Sequence, residues 1–180
     1  LDDLKNLKTS QWKISDATQR QQTALAMLDC LSNSNPQLRD EIAFEALSFW
    51  MRSELLSSET VHQIREQLLK KILDKTSADD EGFAKPFAAL VLAEVARVDR
   101  RKAFMSDSQR QEMVETAAMY IGQIVDFRGF DEKTGWRHGV AHAADWMMQL
   151  SLNPALNKSQ HETRLAALAL QNRNARHFYQ

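Results

Sequence analysis

The segment from Phe83 to Arg101 constrains this chain more than any other. Its middle reads Phe87-Ala-Ala-Leu-Val-Leu-Ala-Glu-Val-Ala96, apolar nearly all round. A helix turns roughly 100° per residue, so a helix of this composition has no face to give to water. It must lie in the middle of the molecule with other elements packed on most of its sides. Those elements read as helices too. Val61, Ile64, Leu68 and Ile72 recur at helical spacing, as do Met113, Val114, Ala117, Tyr120, Ile121 and Ile124. No segment alternates with period two. Five Gly and three Pro in 180 residues supply too few turns for a β architecture. The expected fold is therefore all-α: antiparallel helix pairs joined by short loops and stacked as a HEAT- or armadillo-like superhelix, with a pair spacing of roughly 45 residues.

Seven helices are expected, over about 15–31, from 36 through Trp50, from Ser57 or Ser58 through Ile72, 83–101, 108–125, 136–150 and from 159 onward. Asn35-Pro36 places a cap before a proline at the first helical position. Ser159 with Glu162 forms a capping-box pattern. The last helix has no partner in a paired scheme, so residues 1–180 read as one helical domain that is either capped by that helix or cut from a longer solenoid.

A formal net charge of −1 gives no electrostatic case for nucleic acid, which calls for a basic face. The cluster Arg97, Arg100, Arg101, Lys102 reads as a solvated helix end, where cations suit the dipole. The longest apolar run, 87–93, is too short for a bilayer, so no membrane partner is expected. Cys30, the lone cysteine, sits among leucines and reads as a small core residue; no intrachain disulfide can form. With no visible signal peptide the default compartment is the cytoplasm, although the chain opens on Leu1 and not Met, as a trimmed chain would.

One stretch departs from the plain helical pattern: Arg128-Gly-Phe-Asp-Glu-Lys-Thr-Gly-Trp-Arg-His-Gly-Val-Ala-His-Ala-Ala-Asp145. Here a glycine-punctuated loop feeds a helix. If that helix starts at Trp136, His142 lies about 40° from His138 and Asp145 about 20° the other way, on one stripe. Three readings follow. In the first, the stretch is a structural latch, with Arg128 paired to Asp145 or Asp126, Trp136 packed into a groove and the imidazoles holding loop carbonyls. In the second it is a polar groove that takes a protein segment or a small polar ligand. The third is a metal-dependent hydrolase, with His138, His142 and Asp145 as ligands to a divalent transition metal and Glu94 or Asp126 completing the set. The metalloprotease pattern is absent, since Gly139 follows His138 where that pattern has Glu. No serine elbow and no phosphate-cradling loop occurs. The expectation is a non-catalytic binding or scaffold domain without a cofactor, and Glu94, the acid of the central helix, is expected near the signature helix because it needs a polar partner.

The pattern Asp126, Arg128-Gly129-Phe130, Gly135-Trp136, His138, His142, Ala144-Asp145 resembles the signature of a bacterial family of unknown function, DUF2785. The blocks Asn35-Pro36 with Leu38-Arg39-Asp40-Glu41, and Phe87 with Ala89-Leu-Val-Leu92, are similar to other blocks of that family, while Lys85-Pro86 departs from its usual Arg-Ser. The resemblance implies an all-helical fold and imports no activity.

Overall fold

The computed structural model describes residues 2–76 and 81–173. Among them are eight α-helices: α1 (Asp2–Thr9), α2 (Ala17–Ala26), α3 (Glu45–Arg52), α4 (Ser58–Leu73), α5 (Ala84–Arg101), α6 (Asp107–Gln123), α7 (Gly139–Ser151) and α8 (Lys158–Arg173). α2 continues into a 3-10 segment, Met27–Ser32, and α3 grows out of a π-helical segment, Gln37–Phe44. The chain is all-α, as its periodicity requires. Each of the seven expected helices has a counterpart, and α1 is additional. Among the described residues no helix is long and apolar enough to cross a membrane.

The apolar helix occupies the centre. Ala88, Ala89, Val91, Leu92, Val95 and Ala96 of α5 are wholly buried, and α5 packs against α3, α4 and α7. Helices next but one in sequence lie side by side: α3 with α5 and α5 with α7, then α2 with α4, α4 with α6 and α6 with α8. Their starts follow local chemistry. Asp16 accepts from the Gln19 amide at 2.7 Å, and Ser57 accepts from the Thr60 amide at 3.1 Å. Ser106 and Gln109 form a complete capping box. The last helix begins before the expected Ser159–Glu162 pair, because Asn157 and Gln160 exchange the reciprocal bonds at 2.8 and 3.0 Å.

Two features depart from the sequence reading. A short antiparallel ribbon joins β1 (Phe130–Asp131) to β2 (Gly135–Trp136), where no strand was expected. Two-residue strands are too short to show any period. Asp99, which looked like part of a solvated helix end, is only 2% exposed. Its carboxylate takes the Phe104 and Met105 amides at 2.9 Å each, Arg110 Nε at 2.7 Å and Asn153 Nδ2 at 2.8 Å. Burial alone would push the Asp99 carboxyl up, but Arg110, the two amides and Asn153 together hold it below the usual carboxylate range. That knot ties the C-terminal end of α5 to α6 and to the turn before α8.

Candidate functional site

The signature begins with a turn. Asp131 Oδ1 accepts from the Lys133 amide at 3.0 Å and from the amide and hydroxyl of Thr134, each at 2.8 Å. Phe130 faces Trp136 and Asp131 faces Gly135 across a three-residue loop, and Gly135 has φ +76°. This is the hairpin that closes on a left-handed glycine. A Cβ on Gly135 would come 3.2 Å from Pro36 Cβ and 3.3 Å from Arg39 Nη2. The hairpin therefore lies directly on the turn that opens the π-helical segment.

Arg39 fixes that contact. It is completely buried. Its Nη2 donates to the Thr134 carbonyl at 2.9 Å, Nη1 to the Asn33 carbonyl at 2.9 Å and Nε to Asp40 at 2.6 Å. Its guanidinium stands 3.8 Å from the centre of the Phe83 ring and 4.7 Å from that of Phe87. Arg137 lies 4.6 Å from the same Phe83 ring and donates to the Glu81 carbonyl at 2.8 Å. The sequence reading assigned neither arginine to the site. Arg39 lies almost a hundred residues from the loop it holds, so no local pattern could reveal the contact.

From the hairpin a row of rings runs inward. Phe130 and Trp136 are 5.0 Å apart, Trp136 stacks on His138 at 4.0 Å, His138 is 5.8 Å from His142, and His142 meets Phe87 edge-on at 5.0 Å. Trp136 belongs to β2, so it does not start the helix. His138 is the cap of α7 and holds φ 52°, ψ 33°, a left-handed conformation uncommon for any side chain but glycine. The expected stripe of His138, His142 and Asp145 on one helix thus begins only at His142. His142 itself faces inward with Ala143, Trp146, Met147 and Leu150, while Ala144, Asp145 and Met148 face out. The spacing 142, 143, 146, 147, 150 is a helical core face, anchored by Trp146. The His142 ring hydrogen-bonds the backbone of Pro86, which lacks an N–H and so accepts through its carbonyl, and Nδ1 is buried without a partner. Burial first, then His138, lowers the His142 pKa to about 4.

The acids divide between two places. Asp126 pairs with Arg128, Oδ2 to Nη2 at 2.6 Å, and Arg128 holds the Asp126 carboxyl below its usual range. Of the two partners expected for Arg128, the structure pairs it with Asp126. Gly82, with φ +74°, passes so close beneath that a Cβ would lie 2.6 Å from both partners' polar atoms. Glu94 pairs with Arg52 through Nε at 2.8 Å and through a second contact from Nη2. Burial, followed by the charge of Glu94, pushes the Asp145 carboxyl up, while the ion pair of Glu94 is with Arg52 of α3. Among the described residues no group of three or more His, Cys, Asp or Glu side chains converges as metal ligands would. The alternative set of His138, His142 and Asp145 is therefore not gathered into one.

What the arrangement leaves open is a groove of about 390 Å³ between the loop and the first turns of α7. Its walls are Asp126, Arg128, Trp136 and His138, and its floor is Gly139, Ala141 and Ala144. Trp136 of its lining is 47% exposed, and Phe130, whose ring meets Trp136, is 59% exposed.

No curated protein and no solved structure matches the chain. A family model described as "Protein of unknown function (DUF2785)" matches residues 68–180, which takes in α5, the groove and the Asp99–Arg110 and Asp126–Arg128 pairs but leaves Arg39 outside. More than half of the chain is matched, and the protein belongs to the DUF2785 family.

Proposed function

We propose that this is a non-catalytic binding domain of the helical-repeat kind, whose signature groove takes a polypeptide segment. The observation that carries the reading is the exposed aromatic mouth beside an open groove. Trp136 and Phe130 meet at a tilt, 5.0 Å apart, with both rings exposed, whereas rings of this size normally go inside. The groove volume falls in the range of ligand pockets, about 300–1,000 Å³. Its floor of Gly and Ala lets a backbone approach closely, and Trp with Arg is the usual composition of an interface anchor. His138 adds support: a strained backbone of this kind costs about 1–3 kcal/mol and tends to persist at functional sites. The paired helices behind the groove give it a rigid base, as HEAT-like repeats do for their partners.

Selection from a displayed library of random peptides tests the proposal. Enriched peptides are expected to lose at least tenfold in affinity on Trp136→Ala, and to be indifferent to Leu152→Ser, a change at another exposed apolar site. A library that yields nothing, or peptides that ignore Trp136 and Phe130, would overturn it.

A further inference from the structure

A second cavity, of about 210 Å³, lies away from the groove, where the last turns of α5 meet the first turn of α4. Met51, Val61, Val98 and Phe104 give it apolar walls, and Arg97, Arg101 and Lys102 line it with positive charge. We propose that it is an anion site for a small molecule bearing a phosphate-like dianion on an apolar body.

Three observations converge. First, the cations are free. The side chains of Arg97, Arg101 and Lys102 make no ion pair or hydrogen bond with the described residues, whereas Arg52, also in the lining, is committed to Glu94. Glu54 is the one carboxylate in the lining, so the positive charges outnumber it. Second, Arg97 and Arg101 are one turn apart on α5. Like charges at that spacing repel and weaken a helix, a cost that a bound anion removes. The helix dipole explains cations at the C-terminal end, but it does not explain a walled cavity beneath them. Third, the far wall is preorganised. The Asp99 carboxylate holds the Phe104 and Met105 amides, and the His62 ring meets the Phe104 ring edge-on at 4.8 Å. The cavity thus keeps its shape without a ligand, which lowers the ordering cost of binding. An arginine pair suits phosphate oxygens by its forked geometry, and the apolar walls suit a ring or short chain. The cavity accepts no more than a small body.

Calorimetric titration with phenyl phosphate, using the whole chain, tests this independently of the peptide groove. Saturable one-to-one binding is expected, at least tenfold tighter than for inorganic phosphate or phenol alone. Arg101→Gln should weaken it at least fivefold and Arg97→Gln/Arg101→Gln should abolish it. Lys70→Gln/Lys71→Gln, at the other end of α4, should leave it unchanged. The melting temperature supplies a second readout: Arg97→Gln should hold or raise it, because a repulsion is removed. No saturable binding, binding that survives the double change, binding that is lost with the Lys70/Lys71 control, or binding that appears only when the phosphate is carried on a peptide would each overturn the proposal. So would a melting temperature that falls in Arg97→Gln while affinity is kept.

Discussion

Two arginine–aspartate pairs of this molecule differ in how deeply they are held. Asp99 and Arg110 have side chains 0% and 8% exposed, and the carboxylate also serves two amides and Asn153. Asp126 and Arg128 have side chains 39% and 51% exposed. The first pair joins three segments distant in sequence. The second closes a loop onto itself over two residues. A buried pair earns stability only through full satisfaction of its hydrogen bonds, and breaking it leaves a stranded charge. An exposed pair gains little, because water and salt screen it. Asp126 and Arg128 thus lie at the weakly held end, and Asp99, beside the cations that read as a solvated helix end, ties the fold.

The sharpest way to break this contrast is at Asp99. Asp99→Ala leaves Arg110 only the exposed Asp107, at 3.0 Å, and leaves the Phe104 and Met105 amides and Asn153 without their acceptor, so it should cost about 3–5 kcal/mol in urea unfolding, and Arg110→Ala a similar amount. The double change should cost far less than the sum of the two, because both members act as one unit. Independent additive losses would mean that the knot is not a unit, and the contrast would fail.

His142 adds a pH dependence on the inner side of the signature. Its pKa is lowered to about 4 in the folded chain, from an ordinary value of 6.5. Between those values the unfolded chain binds the proton and the folded chain does not. Stability from neutral His142 is therefore present in full above pH 6.5 and falls as the pH drops toward 4, by roughly 3 kcal/mol over the whole interval. Other groups titrate in the acid range, so the measurement is the difference between the natural chain and His142→Gln across pH 7 to 4. A difference that does not change with pH would show that the histidine is hydrated. Asp145, whose carboxyl is pushed up, faces outward and is not part of this effect.

Arg39 comes next in size. Arg39→Lys keeps the charge but cannot satisfy Asn33, Thr134 and Asp40 together, nor stack flat on Phe83. A loss of about 2 kcal/mol is expected, from one to two charge-assisted hydrogen bonds. Amide exchange of residues 130–137 should rise with it. Unchanged exchange would separate Arg39 from the hairpin.

Much of the fold was legible because burial imposes a period. The all-round apolar run of α5 had to be central, and it is. Asn35-Pro36 marked a helix start, although the turn that follows widens to a π segment that puts Arg39 inside. The site was less legible. Its histidines were placed on one stripe by assuming that Trp136 began the helix, yet Asp131, Thr134 and Gly135 close a hairpin first. That turn was written in the sequence as Asp followed three and four residues later by Thr and Gly. Trp146, four residues after His142, was the signal that His142 faces the core. The contacts of Arg39 with Thr134 and of Asp99 with Asn153 span too much chain to be read from local pattern.

The smallest effect decides what the signature is for. Arg128→Ala should cost about 1 kcal/mol or less, and Asp126→Ala the same, since both side chains of the pair are largely exposed and screened by water and salt. The coupling in their double-mutant cycle should be a few tenths of a kcal/mol and should shrink further in 0.5 M salt. Gly82 gives an internal control. Its Cβ would strike the Arg128 and Asp126 termini, so Gly82→Ala in the natural chain combines a left-handed backbone cost with that clash. In the Asp126→Ala/Arg128→Ala background the clash is gone, and only the backbone cost of about 1 kcal/mol should remain. If Arg128→Ala instead cost as much as Asp99→Ala, the loop would be a second lock and the groove an incidental gap beside it. If it costs little, stability cannot be the reason for the pair, and the proposed role of Arg128 in the groove keeps its standing for the peptide selection to test.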